Sequence, residues 1–135
     1  STSGYIFQFM GGAISWRSRL QECTALSTTE AEYVAASEAC KEAVWLSRLA
    51  CDMGIPKLVP ILFCDSQSAI ALAKNPVYHA KTKHIRVRYH FIRDCITAGY
   101  ISLEKVVSQE NVADALTKAL PRDALEHCCH LMGIT

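Results

Sequence analysis

A layered α/β fold is expected from three features of this 135-residue chain. A helical pattern runs without proline or glycine from Ser27 to Met53, about 26 residues or roughly 39 Å at 1.5 Å per residue. A run of almost wholly apolar residues, Val59 to Cys64, ends on an acid, Asp65. The remaining segments alternate so that the element order reads β-β-α-β-α-α-β-α-α, with no internal repeat and no linker. Strands interleaved with helices give a sheet covered by helices, here as one domain over residues 1–135.

Each element has its own signal. Ser1 to Gly12 carries Tyr5, Ile6, Phe7 and Phe9 and closes on Gly11-Gly12, so it reads as a strand and a turn. Ala13 to Trp16 is the returning strand of a hairpin, with Arg17, Ser18 and Arg19 exposed after it. Ser27 can cap the long helix, and Glu30 can reach back to the cap. Gly54 and Pro56 stop it. Small residues (Ala31, Ala35, Ala36, Ala39, Ala43) permit close packing on a sheet. Val59 to Cys64 has the composition of a central strand buried on both faces, with Pro60 at its start, where no ladder donor is missed. Ser66-Gln67-Ser68 opens a short helix that Asn75-Pro76 breaks. Residues 77 to 83 form a polar loop. A further helix spans about 85 to 98, with Ile85, Tyr89, Ile92 and Ile96 on one face and Gly99 as its stop. Tyr100 to Val107 alternates as a strand. Helices over about 110 to 119 and from Pro121 to Gly133 complete the chain.

Composition narrows the functions. Half the residues are hydrophobic and a fifth are charged, which supports a packed core. No apolar run approaches 18 residues, so no membrane span is expected, and no secretory leader is expected either. Seven cysteines spread through predicted helices and strands fit free thiols in a reducing compartment, the cytoplasm or nucleus. Net charge is +1, so no global field attracts nucleic acid. The distribution is more informative. From Ser66 to Arg93 there is no acid, while Lys74, Lys81, Lys83, Arg86, Arg88 and Arg93 fall there. Within it, Lys81, Lys83, His84, Arg86 and Arg88 with interleaved aromatics are candidates for phosphate contact, against the plainer reading of a solvated helix face.

Three acids occupy positions where chemistry is commonly built. Glu32 is in the first turns of the long helix, Asp65 ends a buried strand, and Asp114 follows the last strand. Ligands of α/β sheets bind at the carboxyl ends of strands. Carboxylates converging from separate elements repel one another unless a cation holds them, and hard oxygen donors favour Mg²⁺ or Mn²⁺. Taken singly, an Asp after a strand is more often a helix cap and a helical Glu a solvated residue; the combination carries the reading. His127-Cys128-Cys129-His130 is a poor zinc set, because adjacent helical side chains diverge by about 100°, and core packing of Cys128, Leu131 and Met132 is expected instead. Cys64 is expected as a buried strand residue facing away from Asp65.

The stretches Ser1-Thr2-Ser3-Gly4-Tyr5, Gly12-Ala13-Ile14-Ser15-Trp16-Arg17-Ser18, Leu26 to Tyr33, Cys64-Asp65-Ser66-Gln67-Ser68-Ala69-Ile70, Lys83-His84-Ile85 with Tyr89-His90-Phe91-Ile92-Arg93, and Ala113-Asp114 with Thr117-Lys118 occur in this order over almost the whole chain. With them the chain resembles the ribonuclease H domain of copia-type LTR retrotransposon polyproteins. The resemblance implies a ribonuclease H-like fold, a mixed central sheet flanked by helices. It implies that Glu32, Asp65 and Asp114 match three of four metal-binding acids, with Mg²⁺ or Mn²⁺ as cofactor. The implied reaction is hydrolysis of RNA in an RNA–DNA hybrid, leaving a 3′-hydroxyl and a 5′-phosphate. The family pattern places a strand bearing the first acid ahead of the residue matching Ser1. No acid precedes Glu22 here, so no residue carries that role. That strand lies between the Tyr5 hairpin and the strand ending at Asp65, so two open sheet edges are expected. They suggest a homodimer or a protein partner that supplies a strand, or a non-catalytic module that binds nucleic acid or protein.

Overall fold

The computed structural model describes residues 2–22, 25–74 and 83–134. Among the described residues the fold is mixed α/β, with two small sheets and four α-helices. Strands β1 (Thr2–Phe9) and β2 (Gly12–Leu20) form an antiparallel hairpin. Its register slips between Phe7 and Gln8, leaving Ile14 as the extra residue of a bulge. The returning strand is longer than expected and includes Arg17, Ser18 and Arg19, which remain exposed within the ladder.

Helix α1 (Thr28–Asp52) confirms the capping pattern. Ser27 Oγ accepts from Glu30 N at 3.1 Å. Glu30 Oε2 in turn accepts at 2.6 Å from Leu26 N, one residue before the cap. At the other end Gly54 takes φ +91°, and Ile55 N donates to Ala50 O at 2.8 Å. That six-residue return satisfies a terminal carbonyl and needs a left-handed residue at Gly54. The same closure, with Gly99 and Gly133 at positive φ, ends the helices α3 (Lys83–Thr97) and α4 (Arg122–Leu131).

Strand β3 (Ile61–Cys64) pairs in parallel with β4 (Ser102–Lys105), and helix α2 (Gln67–Lys74) follows β3. The core gathers Tyr33, Ala39, Cys40 and Ala43 of α1, Leu62, Ile70, Tyr89, Ile92, Ile101 and Leu103, with Tyr5 and Phe7 packed against it. Thus α1 meets one face of both sheets and packs on α3.

The two open edges expected of the sheet are present: among the described residues the ladder stops at β1 on one side and at β3 on the other. Two expectations are corrected. Strand β3 is not buried on both faces. Leu62 turns into the core at 9% exposure, while Ile61 and Phe63 stand 49% and 58% exposed. Helix formation over 110–119 is replaced by two 3-10 turns, Ser108–Glu110 and Val112–Leu116, the second capped by the Asn111 side chain accepting from Ala113 N at 3.2 Å. A short polar side chain that bonds its own backbone competes with the α-helix. The loop expected at 77 to 83 lies outside the described residues except for Lys83, the first residue of α3.

The six described cysteines are free thiols. Cys40 is 1% exposed, and burial, reinforced by neighbouring Cys95, pushes its pKa up to about 12. Cys51 lies exposed near the end of α1. Thiolate is the reactive form, so iodoacetamide is expected to label native Cys51 on the order of 10²-fold faster than Cys40. Peptide mapping by mass spectrometry reads the difference, which should vanish in denaturant.

Candidate metal centre

Three segments far apart in sequence converge at the carboxyl end of β3. Asp65 is fixed from two sides. Lys105 Nζ, at the end of neighbouring β4, donates to the Asp65 backbone carbonyl. Asn111 Nδ2 donates to Asp65 Oδ2 at 3.0 Å while its other amide atom caps the 3-10 turn. One amide therefore ties the turn that carries Asp114 to the acid at the strand end. Neither Lys105 nor Asn111 stood out as a site residue in the sequence; the only local signal was an Asn ahead of a helical stretch.

Glu32 enters from the first turns of α1. Its carboxylate, the Asp65 carboxylate and Cys64 Sγ all lie within 4.8 Å of one another. Asp114 sits beside this pair, its Oδ2 3.3 Å from Lys118 Nζ, and close enough for its charge to act on Glu32. The turn carrying it lies against β1 because Gly4 leaves room: a Cβ there would meet Thr117 Cγ2 at 2.8 Å and Leu116 Cβ at 3.0 Å. Cys64 departs from expectation. It is half-buried and lies with the acids, since the chain leaves β3 at this residue and strand alternation ends.

The electrostatics are those of crowded anions. Partial burial raises the Glu32 carboxyl above its ordinary pKa, the facing charges of Asp65 and Asp114 add to the rise, and Lys118 opposes it. Such a group holds its proton more tightly in the folded chain than in the unfolded one. Its contribution therefore favours folding most below the ordinary value of 4.5 and is lost as pH climbs through the raised value. Glu32→Gln is expected to flatten that decline. Urea midpoints measured from about pH 4 to about pH 7 should show parent stability falling more steeply with pH than the variant's. The effect is small, because solvent reaches Glu32 and screens the repulsion.

The donor set fits a hard divalent cation. Glu32, Asp65 and Asp114 offer carboxylate oxygens, the ligands that Mg²⁺ and Mn²⁺ prefer. Cys64 is a poor fourth donor for such an ion. Burial raises its thiol pKa, and its sulfur accepts from Ser66 N at 3.4 Å.

The basic candidates lie elsewhere. Lys83, His84 and Arg88, with Lys41, line a groove of about 580 Å³ between α1 and α3. Arg88 Nη1 donates to Ser37 Oγ at 2.7 Å, and Ser37 Oγ donates to Val34 O at 2.8 Å. Ser37 and Lys41 are five and nine residues beyond Glu32, about 140° and 180° around α1, so this groove opens on the far side of the helix from the acids. Arg86 is exposed, and Lys81 lies outside the described residues. In α4, Cys128 is buried and His127 Nε2 lies 3.1 Å from Glu110 Oε1.

No family model and no solved structure matches the chain. Curated proteins do. The chain is 52% identical over 134 residues to the retrovirus-related Pol polyprotein from transposon TNT 1-94 of Nicotiana tabacum, a match covering 99% of this chain and 10% of that protein. It is 37% identical over 137 residues to the Pol polyprotein from transposon RE1 of Arabidopsis thaliana, covering 100% of this chain and 9% of the relative. A shorter stretch of 47 residues, 35% of this chain, is 62% identical to a third of the secreted RxLR effector protein 161 of Plasmopara viticola. The chain's homologues are thus the retrovirus-related Pol polyproteins of copia-type transposons, of whose length it spans about a tenth.

Proposed function

We propose that this region is a ribonuclease H-like domain of a transposon Pol polyprotein, by descent a metal-dependent endonuclease acting on the RNA strand of RNA–DNA hybrids. The observation that supports it most is the approach of Glu32 and Asp65, with Asp114 beside them, from three separate elements. A divalent cation bound there would act as Lewis acid toward a phosphodiester and lower the pKa of an attacking water. The protein's part is positional. Asn111 holds the Asp65 carboxylate, Lys105 holds its backbone, and Lys118 restrains Asp114. Lys83, His84, Arg86 and Arg88 would take phosphates remote from the cleaved one.

The family pattern has a fourth acid for which these residues offer no match, so cleavage calls for a carboxylate from another segment. A second reading follows from that and from the match to a protein not named as a polyprotein. It is a non-catalytic module that binds nucleic acid or protein through the retained fold. Incubation with a labelled RNA–DNA hybrid in Mg²⁺ or Mn²⁺, beside a binding titration, separates them. Metal-dependent cleavage establishes the nuclease. Binding without cleavage, weakening as salt rises, favours the second reading. Neither binding nor cleavage overturns both nucleic-acid roles and leaves protein interaction.

A further inference from the structure

The face of α1 turned away from the acids carries a different chemistry. Lys41, Trp45 and Arg48 follow one another at intervals of four and three residues. That spacing puts them within about 60° of one another around the helix, one turn after the next. All three are exposed, Trp45 at 56%. The stripe continues the groove between α1 and α3. Lys41 lines that groove with Lys83, His84 and Arg88, Val87 and Phe91 supply its apolar part, and no acid is among its described lining residues. Ser37, fully buried in the same lining, accepts from Arg88 Nη1 at 2.7 Å and so holds the guanidinium at this face.

Cations alone would be an ordinary solvated surface. Trp45 makes the difference, an aromatic ring left more than half exposed between two cations. Covering it with an apolar protein surface would also desolvate Lys41 and Arg48, which is costly unless opposite charge arrives with the cover. A partner that offers flat rings and a negative charge at every repeat meets all three side chains. From this we infer that Lys83, Arg88, Lys41, Trp45 and Arg48 form a track for single-stranded nucleic acid, with phosphates on the cations and a base stacked on Trp45.

Two arguments require unpaired bases. In a double helix the base faces cover one another and only edges and backbone reach the surface, so an indole there finds no face to stack on. The second is direction. The track opens about 180° around α1 from Glu32. A double helix with a persistence length of about 50 nm cannot bend around a helix about 10 Å across, whereas a single strand can. Ser37 to Arg48 spans about 17 Å of helix axis. Glu38 lies about 60° to one side of Lys41, and Asp52 lies one turn beyond Arg48, so acids bound the track. The inference deepens the nucleic-acid part of the reading above, on which it rests for Lys83 and Arg88, and makes no use of the acid cluster.

The probe is a fluorescein-labelled deoxythymidine oligomer of about 12 nucleotides, followed by anisotropy in EDTA, so neither metal nor hybrid enters. The expected result is binding that weakens with salt at a log–log slope of about −3, as four cations at about 0.7 per phosphate require. Lys41→Glu should weaken it about tenfold or more, and Trp45→Ala about fivefold or more. Both positions are exposed, and circular dichroism checks that the variants fold. Arg122→Glu, the same charge change on an exposed side chain of α4, should stay within about twofold. In Trp16→Phe, which leaves Trp45 as the remaining tryptophan, indole emission should fall as the oligomer binds. No binding, equal weakening by Arg122→Glu, or unchanged Trp45 emission overturns the proposal. A dimer in sedimentation that covers Trp45 and excludes the oligomer also overturns it and gives the face to a second copy. Hybrid cleavage by a chain that ignores the oligomer leaves the nuclease reading standing without this one; oligomer binding without cleavage does the reverse.

Discussion

Asp65→Asn is expected to lower Mn²⁺ affinity on the order of 10²-fold or more. The carboxylate lies within 4.8 Å of the Glu32 carboxylate, so one cation can touch both. A unit charge about 4 Å from a cation is worth around 4 kcal/mol at an intermediate dielectric, reduced where water reaches the site. The amide keeps shape and size, and Asn111 can still bond to its oxygen, so the fold should persist. A second readout separates loss of a ligand from loss of structure. Without metal the variant relieves Glu32 of the nearer of two like charges, so its urea midpoint at neutral pH should equal or exceed the parent's. Calorimetric titration with Mn²⁺ and equilibrium unfolding give both numbers. Affinity within threefold of the parent would remove the metal centre, and with it the nuclease reading. Where hybrid cleavage is observed, it should vanish in this variant.

The second large effect is structural. Ile92 is 0% exposed in the middle of α3 and belongs to the core that also holds Tyr33, Cys40 and Leu103. Ile92→Ala removes buried methyl and methylene groups and leaves a cavity that close-packed neighbours fill only in part. The expected loss is about 2–5 kcal/mol, a large share of the ~5–15 kcal/mol that holds a typical domain folded. Arg86→Ala, on the exposed face of the same helix, should change stability by less than about 0.5 kcal/mol. Urea denaturation at constant m-value measures the pair. A loss below about 1 kcal/mol at Ile92 would mean that α3 is not packed on α1 as described.

What could be read from the sequence follows the range of the interactions concerned. Helix α1 was legible at both ends because its stops are local: Ser27 and Glu30 at one end, Gly54 at the other. The burial of β3 was not. Val59 to Cys64 carries the composition of a strand covered on both sides, but coverage depends on neighbours elsewhere in space, and Ile61 and Phe63 lack them. The segment after β4 escapes a local reading for a related reason. Val112–Leu116 has adequate helix formers, yet the Asn111 side chain is engaged by Asp65, 46 positions earlier, and the backbone tightens into a 3-10 turn. The three acids were legible as residues at element ends. Their supports, Lys105 and Asn111, were not, because each acts through a single long-range bond. Cys64 lies with the acids because strand alternation ends at this residue.

The spread of the acid cluster along the chain also sets an order of events in time. Glu32 and Asp114 are 82 positions apart (114 − 32). At translation rates of roughly 5–20 residues per second, the ribosome adds Asp114 about 4–16 s after Glu32. Helix α1 and the hairpin, whose contacts are local, can form in that interval. The full set of three carboxylates cannot meet within it, although Glu32 and Asp65 are both present earlier. Any chemistry that needs all three acids therefore waits for the last third of the sequence, long after the helix that carries the first of them has been made.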